Sequence, residues 1–228
     1  MSPQSLLSPD DREGSIVSLY APPIRASHRN PRSAMLVVGP ILARLRVGRA
    51  LDWWRFNYAR LRSPGRIVAL GLPHIDAPFR LRMSPDATLI IGRNVRFRPG
   101  FSADIEGHGV LQIGDNTAFN VSCWIGVTTR ITIGDNCLFG PFVSVTDGNH
   151  RFDDPGQLIW HQGLETREID VGRNVWLGAK ATVINDIGAD AVIGANAVVT
   201  RPIAPGSVAS GVPARIRRSL YTNTVTRP

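Results

Sequence analysis

One five-residue phrase recurs five times along this chain: IGRNV (91–95), IGDNT (113–117), IGDNC (133–137), VGRNV (171–175) and IGANA (193–197). Each holds Ile or Val, then Gly, a variable residue, Asn, and a small or branched residue. Six residues after each opening aliphatic comes another apolar residue: Phe97, Phe119, Phe139, Leu177 and Val199. A further six on, Ile125, Val145 and Val183 keep the period. A sustained hexad period marks a parallel β-helix, in which each short strand sends one large side chain inward. Gly and Asn turn the corners because they tolerate backbone angles that cost other residues more. A β-sandwich, with strands roughly every 8–12 residues, would not lock Gly and Asn to one phase. No single coil buries its apolar face alone, so coils must stack.

The phrases begin 22, 20, 38 and 22 residues apart. With a coil of three hexads, three of these intervals carry only small corner bulges, whereas the 38-residue interval holds about 20 extra residues. These are roughly 147–166, DGNHRFDDPGQLIWHQGLET, and they read as a loop thrown out of the coil. A long insertion in a compact domain is functional or disordered. Phe152, Leu158, Ile159 and Trp160 are expected to anchor this one, which favours function.

Cys123 and Cys137 sit inside apolar repeats without CxxC or His partner spacing, and read as reduced core residues. The longest apolar run near the N-terminus, AMLVVGPILA (34–43), is half of what a spanning helix needs and starts too late for a signal peptide, so a cytoplasmic location is expected. The net charge of +8 is concentrated at the N-terminal end: residues 1–70 hold 11 basic and 4 acidic side chains. All but one of the 26 basic residues are Arg, Lys180 being the exception. No stacking-aromatic or helix-turn-helix pattern accompanies the charge, and nucleic acid is not an expected partner. Residues 1–30 read as a loose tail rich in Pro, Ser and charge. Residues 31–66 read as a basic helical segment, one or two helices broken near Gly39 and Pro40. In it Leu42, Leu45, Leu51, Trp54, Tyr58 and Leu61 recur at three, four or six residues. It either packs on the chain's own β-helix or lies as a basic amphipathic element on an anionic membrane. Residues 67–218 form the β-helix domain and 219–228 a C-terminal tail.

Across residues 86–218 the sequence resembles the hexapeptide-repeat acyltransferases with a left-handed parallel β-helix. The resemblance is greatest to the sugar and polysaccharide O-acetyltransferases of the maltose, galactoside and capsular or colanic acid type. It rests on the repeats, on TDGNHRFD (146–153), AFN (118–120), NVWLGA (174–179) and GVPAR (211–215), all in family order. The fold class implied is mainly β, a left-handed β-helix with an N-terminal helical segment and one inserted loop. The hand comes from the resemblance alone, since parallel crossovers are otherwise right-handed.

Moving an acyl group from a thioester to a hydroxyl needs a base that works near pH 7, and histidine suits that task. His150 lies on the inserted loop, whereas His28, His74, His108 and His161 lie outside every repeated motif. Asp147, Asp153, Asp154 and Glu165 are near enough in sequence to orient its ring. The resemblance implies that His150 is the general base and that Asn120 and Trp176 line the acceptor site. It further implies that the Ala179 N–H faces the thioester oxygen, where a backbone donor would stabilise an oxyanion. Coenzyme A is long and anionic, so its path should be lined by amides and end at cations. The matching positions are Ala179, Ala195, Thr200, Arg201, Arg215 and Arg218, with Arg217 and Lys180 as nearby cations. The segment from Ala179 to Ala195 is about two residues tighter than in family members.

The resulting reading is a CoA-dependent O-acyltransferase, with acetyl-CoA or another acyl-CoA as cosubstrate, a sugar or glycolipid acceptor, no metal, and a homotrimer with sites between subunits. A γ-class carbonic anhydrase shares the β-helix but needs three histidines on a metal, and residue 155, five beyond His150, is proline. A non-catalytic β-helix scaffold is the other alternative.

Overall fold

The structure, a computed structural model, describes residues 31–221, with side chains from Val47 onward. The tail expected at 1–30 lies outside the described residues, as does 222–228. Contacts divide the chain between Arg44 and Leu45, and the second unit carries the β-helix.

Among the described residues three sheets run the length of that β-helix. Sheet A stacks strands 66–69, 88–91, 110–113, 130–133 and 169–171, and bridges at Ile187 and Ile203 extend it. Sheet B stacks 74–75, 96–97, 118–119, 138–139, 176–177, 192–193 and 207–210, and ends in the antiparallel strand Arg215–Ser219. Sheet C stacks 79–83, 101–105, 124–127, 144–146, 182–183 and 198–199. Each coil therefore runs from A through B to C and then returns to A.

The core follows from the period. Strand alternation points one residue of each short strand inward, giving Ile75, Phe97, Phe119, Phe139, Leu177, Ile193 and Ala209 in sheet B. Phe119 is fully buried between Phe97 at 5.4 Å and Phe139 at 4.5 Å, centroid to centroid. Coil length tapers with this column. In-register partners are 22 residues apart at Ile67 and Leu89, 20 at Leu111 and Ile131, and 16 at Val171 and Ile187. The wide coils hold phenylalanine, and the narrow ones close on smaller aliphatics. Cys123 and Cys137 are buried and free, and burial pushes the Cys123 thiol up to about 11.

The corner between sheets A and B explains the phrase. Asn94, Asn116, Asn136 and Asn174 adopt φ of 54–60° there, and their side chains form a ladder, with the Asn94 amide donating to Asn116 and Asn116 to Asn136. A Cβ on Gly134 would fall 2.6 Å from the backbone nitrogen of Arg173 in the next coil, so only glycine fits. Four phrases stack in this column, but the fifth does not. Ile193 of IGANA belongs to sheet B, and IGAD (187–190) takes the fifth place, with Asp190 at φ 60° accepting from Asn174 at 2.8 Å. The last 22-residue spacing was therefore one 16-residue coil plus a corner.

A single helix, Pro31–Arg62, runs through Gly39 and Pro40 where a break was expected. A proline costs a helix one hydrogen bond and a clash, which a long helix can absorb by bending. From Leu45 on, the helix belongs to the β-helix unit and covers its first coil with polar groups. Asp52, buried, accepts the Ile75 N–H at 3.0 Å, Arg55 donates to the Ile75 carbonyl at 2.6 Å, and Arg49 donates to the Leu72 carbonyl at 3.0 Å. These bonds satisfy backbone groups that an open end of the β-helix would leave unpaired. Phe56 packs on the core beside them, but most of the apolar stripe stays exposed. Val47, Leu51, Trp54, Tyr58 and Leu61, spaced 4-3-4-3, are 45–87% exposed. At the other end, Ser219 closes the last strand, and the Tyr221 hydroxyl donates to Asp190 at 2.6 Å.

Candidate active site

The inserted loop leaves the corner between sheets C and A, directly after Ser144–Thr146. Its base is a short antiparallel hairpin, Gly148–His150 with Leu164–Thr166, and the Arg167 N–H closes it on the Asp147 carbonyl at 2.9 Å. Asp147 is buried, and its two oxygens accept the Thr128 and Thr129 N–H groups at 2.7 Å each. It welds the hairpin to the preceding coil, and its bonds run to that coil rather than to His150. Glu165 faces Asn149, while His150 faces Leu164, so the two side chains leave opposite faces of the hairpin. Asp154 turns back to the Gly156 N–H at 2.8 Å. Among the described residues, none of the four carboxylates named as orienting candidates bonds the exposed imidazole.

The expected apolar anchoring of the loop is not found. Phe152, Leu158, Ile159 and Trp160 are 55–81% exposed. The arm is held by polar bonds instead, with the Gln162 amide donating to the carbonyls of Asp154 and Gln157 at 2.9 Å each. Its apolar side chains are therefore left without cover among the described residues.

A second group of residues lies at the corner between sheets B and C. Asn120, Gly140, Gly178 and Gly194 hold one position in successive coils, and Ala179 and Ala195 share the next. Ala195 is thus in register with Ala179 in spite of the tighter 16-residue spacing. The Ala179 and Ala195 N–H groups find no acceptor among the described residues. Asn120 is exposed and accepts its neighbour's Val121 N–H at 2.8 Å. Trp176, 54% exposed, stands on the outer face of sheet B beside Leu138.

Thr200 and Arg201, both exposed, follow the sheet C strand Val198–Val199, on the same edge as the loop hairpin. Arg215 and Arg218 lie exposed on the last strand, opposite Ser210 and Val208. Arg217 is committed to the Ser210 hydroxyl at 3.1 Å. One chain therefore separates the expected site residues. His150, Thr200 and Arg201 occupy the C–A edge, while Asn120, Ala179 and Ala195 occupy the B–C edge, with the width of sheet C between them. Among the described residues no three His, Cys, Asp or Glu side chains converge to hold a metal ion.

A further cluster forms no sequence motif because its members fall in three different coils. On the outer face of sheet C, Asp104 accepts from Arg82 Nε at 2.6 Å and Trp124 Nε1 at 2.9 Å, with Arg80 3.7 Å away. Burial alone would raise the Asp104 carboxyl, but these two hydrogen bonds and the two guanidinium charges hold it below the ordinary carboxylate range. A charged residue at every second position of 80–82 is the one sequence signal that could have flagged it.

Comparison with known proteins places this geometry. No family model matches the chain. A probable acetyltransferase of Mycobacterium tuberculosis is 30% identical over 152 residues, which span 63% of this chain and 50% of that protein. The chain thus spans about half the length of the curated relative it matches. A hexapeptide-repeat acetyltransferase of Vibrio cholerae, solved with acetyl coenzyme A, is 26% identical with a TM-score of 0.51, covering 74% of this chain and 78% of its own. At this identity and coverage the chain is similar to hexapeptide-repeat acetyltransferases in sequence and in fold. A galactoside acetyltransferase solved with coenzyme A is 25% identical with a TM-score of 0.50, covering 73% and 70% of the two chains. As in these hexapeptide-repeat acyltransferases, the parallel β-helix is left-handed, as the resemblance implied.

Proposed function

We propose that the protein is a CoA-dependent O-acyltransferase, acting with acetyl-CoA on a hydroxyl of a sugar in a polysaccharide or glycolipid precursor. The observation that carries this reading is the split site: a histidine on a rigid hairpin at one edge, and free backbone N–H groups with Asn120 at the other. Neither edge is sufficient for acyl transfer. Packing the C–A edge of one copy against the B–C edge of the next would unite them. A closed ring of three such contacts is the homotrimer we propose, and the exposed Phe152 and Trp160 of the arm would be covered in it.

In the assembled site His150 takes the proton of the acceptor hydroxyl as its oxygen attacks the thioester carbonyl. The Ala179 N–H donates to the oxygen that becomes negative, Asn120 and Trp176 position the acceptor, and Ala195, Thr200 and Arg201 line the CoA path. The carbon–sulfur bond then breaks, and the imidazolium returns its proton to the departing thiolate. No acyl-enzyme forms. The test is CoA release from acetyl-CoA and longer acyl-CoAs over a panel of sugars. Absence of turnover with every acceptor would favour the non-catalytic scaffold.

In this reading Arg215 and Arg218 end the CoA path, against its 3'-phosphate. Arg215→Ala and Arg218→Ala should each weaken acyl-CoA binding roughly 10- to 100-fold while changing turnover at saturation little. Equal losses with CoA and dephospho-CoA would rule out contact with that phosphate.

The membrane reading of residues 31–66 gains support from the outward stripe of Val47, Leu51, Trp54, Tyr58 and Leu61, flanked by exposed Arg60, Arg62 and Arg66. No helix of the described residues is long and apolar enough to cross a membrane, so the association proposed is peripheral, at the cytoplasmic face. The protein should sediment with anionic vesicles at 0.01 M salt and release near 0.15 M, as the Debye length falls from about 30 Å to about 8 Å. Trp54→Ser combined with Leu61→Ser leaves the Asp52 and Arg55 bonds in place and should abolish sedimentation. Equal binding by this variant, or to neutral vesicles, would refute the reading.

A further inference from the structure

Two rows of side chains stand on the outer face of sheet C. The register aligns Arg80, Ser102, Trp124 and Ser144 in one, and Arg82, Asp104, Gly126 and Thr146 in the other. A Cβ on residue 126 would fall 2.6 Å from two carbons of the Trp124 indole. The indole therefore lies across Gly126, its ring laid along the sheet and its Nε1 fixed on Asp104 at 2.9 Å. Trp124 is half-buried there, so part of the ring remains accessible beside the arginines.

Asp104 also sets the two arginines. Arg82 reaches it through Nε, which leaves both terminal nitrogens of the guanidinium without an acceptor among the described residues. Arg80 approaches it at 3.7 Å through one terminal nitrogen. Their side chains are 60% and 66% exposed, so both guanidiniums reach the surface around the buried Asp104, with Glu106 as the second acid beside Arg82. Beside Arg82 a shallow polar cavity of about 230 Å³ is lined by Ser84, Asp104 and Glu106. A purely structural ion pair would need one arginine and no aromatic shelf. An aromatic face next to a free guanidinium fork is the arrangement that takes an anionic ring, with its C–H face on the indole and its carboxylate or phosphate on the fork.

The position matters as much as the chemistry. The row Arg82, Asp104, Gly126, Thr146 ends two residues before Gly148, where the hairpin that carries His150 begins. Strands lie about 4.8 Å apart, so the row extends roughly 14 Å from Arg82 to the hairpin side, the reach of a short oligosaccharide rather than of one sugar.

We propose that Arg80, Arg82 and the Trp124 indole form an acceptor-docking subsite on sheet C that selects acidic saccharides, bearing carboxylate or phosphate groups, and feeds them toward His150. The proposal rests on the acyltransferase reading for its purpose, but its binding test does not need turnover. The probes are trigalacturonate and the neutral maltotriose, with glucose 6-phosphate reporting a phosphate in place of a carboxylate. Titrated calorimetrically into the intact protein, trigalacturonate should bind at least tenfold more tightly than maltotriose. Arg82→Ala should weaken trigalacturonate tenfold or more and leave maltotriose and CoA unchanged. Arg82→Lys, which keeps charge but not the fork, should fall between. Trp124→Phe should weaken both saccharides by a smaller, similar factor.

Arg80→Gln guards against a folding defect in the Arg82 variants, since Arg80 is not hydrogen-bonded to Asp104, and it should lose affinity for trigalacturonate only. Equal affinity for the two trisaccharides in the unaltered protein would overturn the proposal. So would an Arg82→Ala variant that melts earlier but binds trigalacturonate as before, or one that loses CoA instead. If acyl transfer is absent while trigalacturonate selectivity persists, the subsite stands and the enzymatic reading fails.

Discussion

His150→Ala is expected to lower turnover by about 100-fold or more while leaving acyl-CoA affinity nearly unchanged, as removal of a general base should. The hairpin that carries His150 is closed by backbone bonds and by Asp147, none of which involves the imidazole, so the variant should fold and assemble as before. Steady-state kinetics with acetyl-CoA and one accepted sugar, beside direct titration of CoA, separates the two effects. Retention of a tenth of the original turnover would remove His150 as the base. Because no carboxylate among the described residues orients the ring, the proposed trimer makes a second demand. Whatever group holds the other ring nitrogen should come from the neighbouring copy or from the bound substrates.

Asp147→Ala should have the largest effect on stability of any single change in the loop. Two backbone N–H groups, those of Thr128 and Thr129, would lose their acceptor at a buried position, and each stranded donor costs about 1–3 kcal/mol. A loss of roughly 2–5 kcal/mol in chemical denaturation is expected, together with a fall in turnover, because the same carboxylate ties the hairpin to the preceding coil. Asp147→Asn keeps one acceptor oxygen and should recover part of both. A fully stable Asp147→Ala protein would show that water or a shifted chain can replace the carboxylate, and would sever the link drawn between coil and site.

The apolar helix stripe shows where periodicity misleads. Leu51, Trp54, Tyr58 and Leu61 recur at helical spacing, which ordinarily marks the face that packs inward. Here the inward face combines Asp52, Arg55 and Arg49, which meet unpaired N–H and C=O groups of the first coil, with Phe56, which packs on the core beside the stripe. Nothing in the spacing reports what the receiving surface needs. The arm of the inserted loop is a similar case, since Phe152 and Trp160 look like anchors in sequence and yet are largely exposed among the described residues.

The hexad of aliphatics with Gly and Asn at fixed phase determined by itself that this chain is a parallel β-helix, that one coil carries a long insertion, and that a histidine sits on it. It could do so because a coil corner admits only residues that tolerate φ near +55° or the absence of a Cβ, a constraint written directly into residue type. Which edge each residue occupies was decided only by the tertiary structure. The three corners demand much the same residues, so IGANA reads like the other four phrases although it turns a different corner, and IGAD, which turns the expected one, passes unnoticed. Phase around the helix depends on the summed length of every preceding corner, and a coil that shortens from 22 residues to 16 shifts it by a full strand. The separation of His150 from Asn120 and Ala179 across sheet C follows from that summed length, and the proposed trimer rests on it.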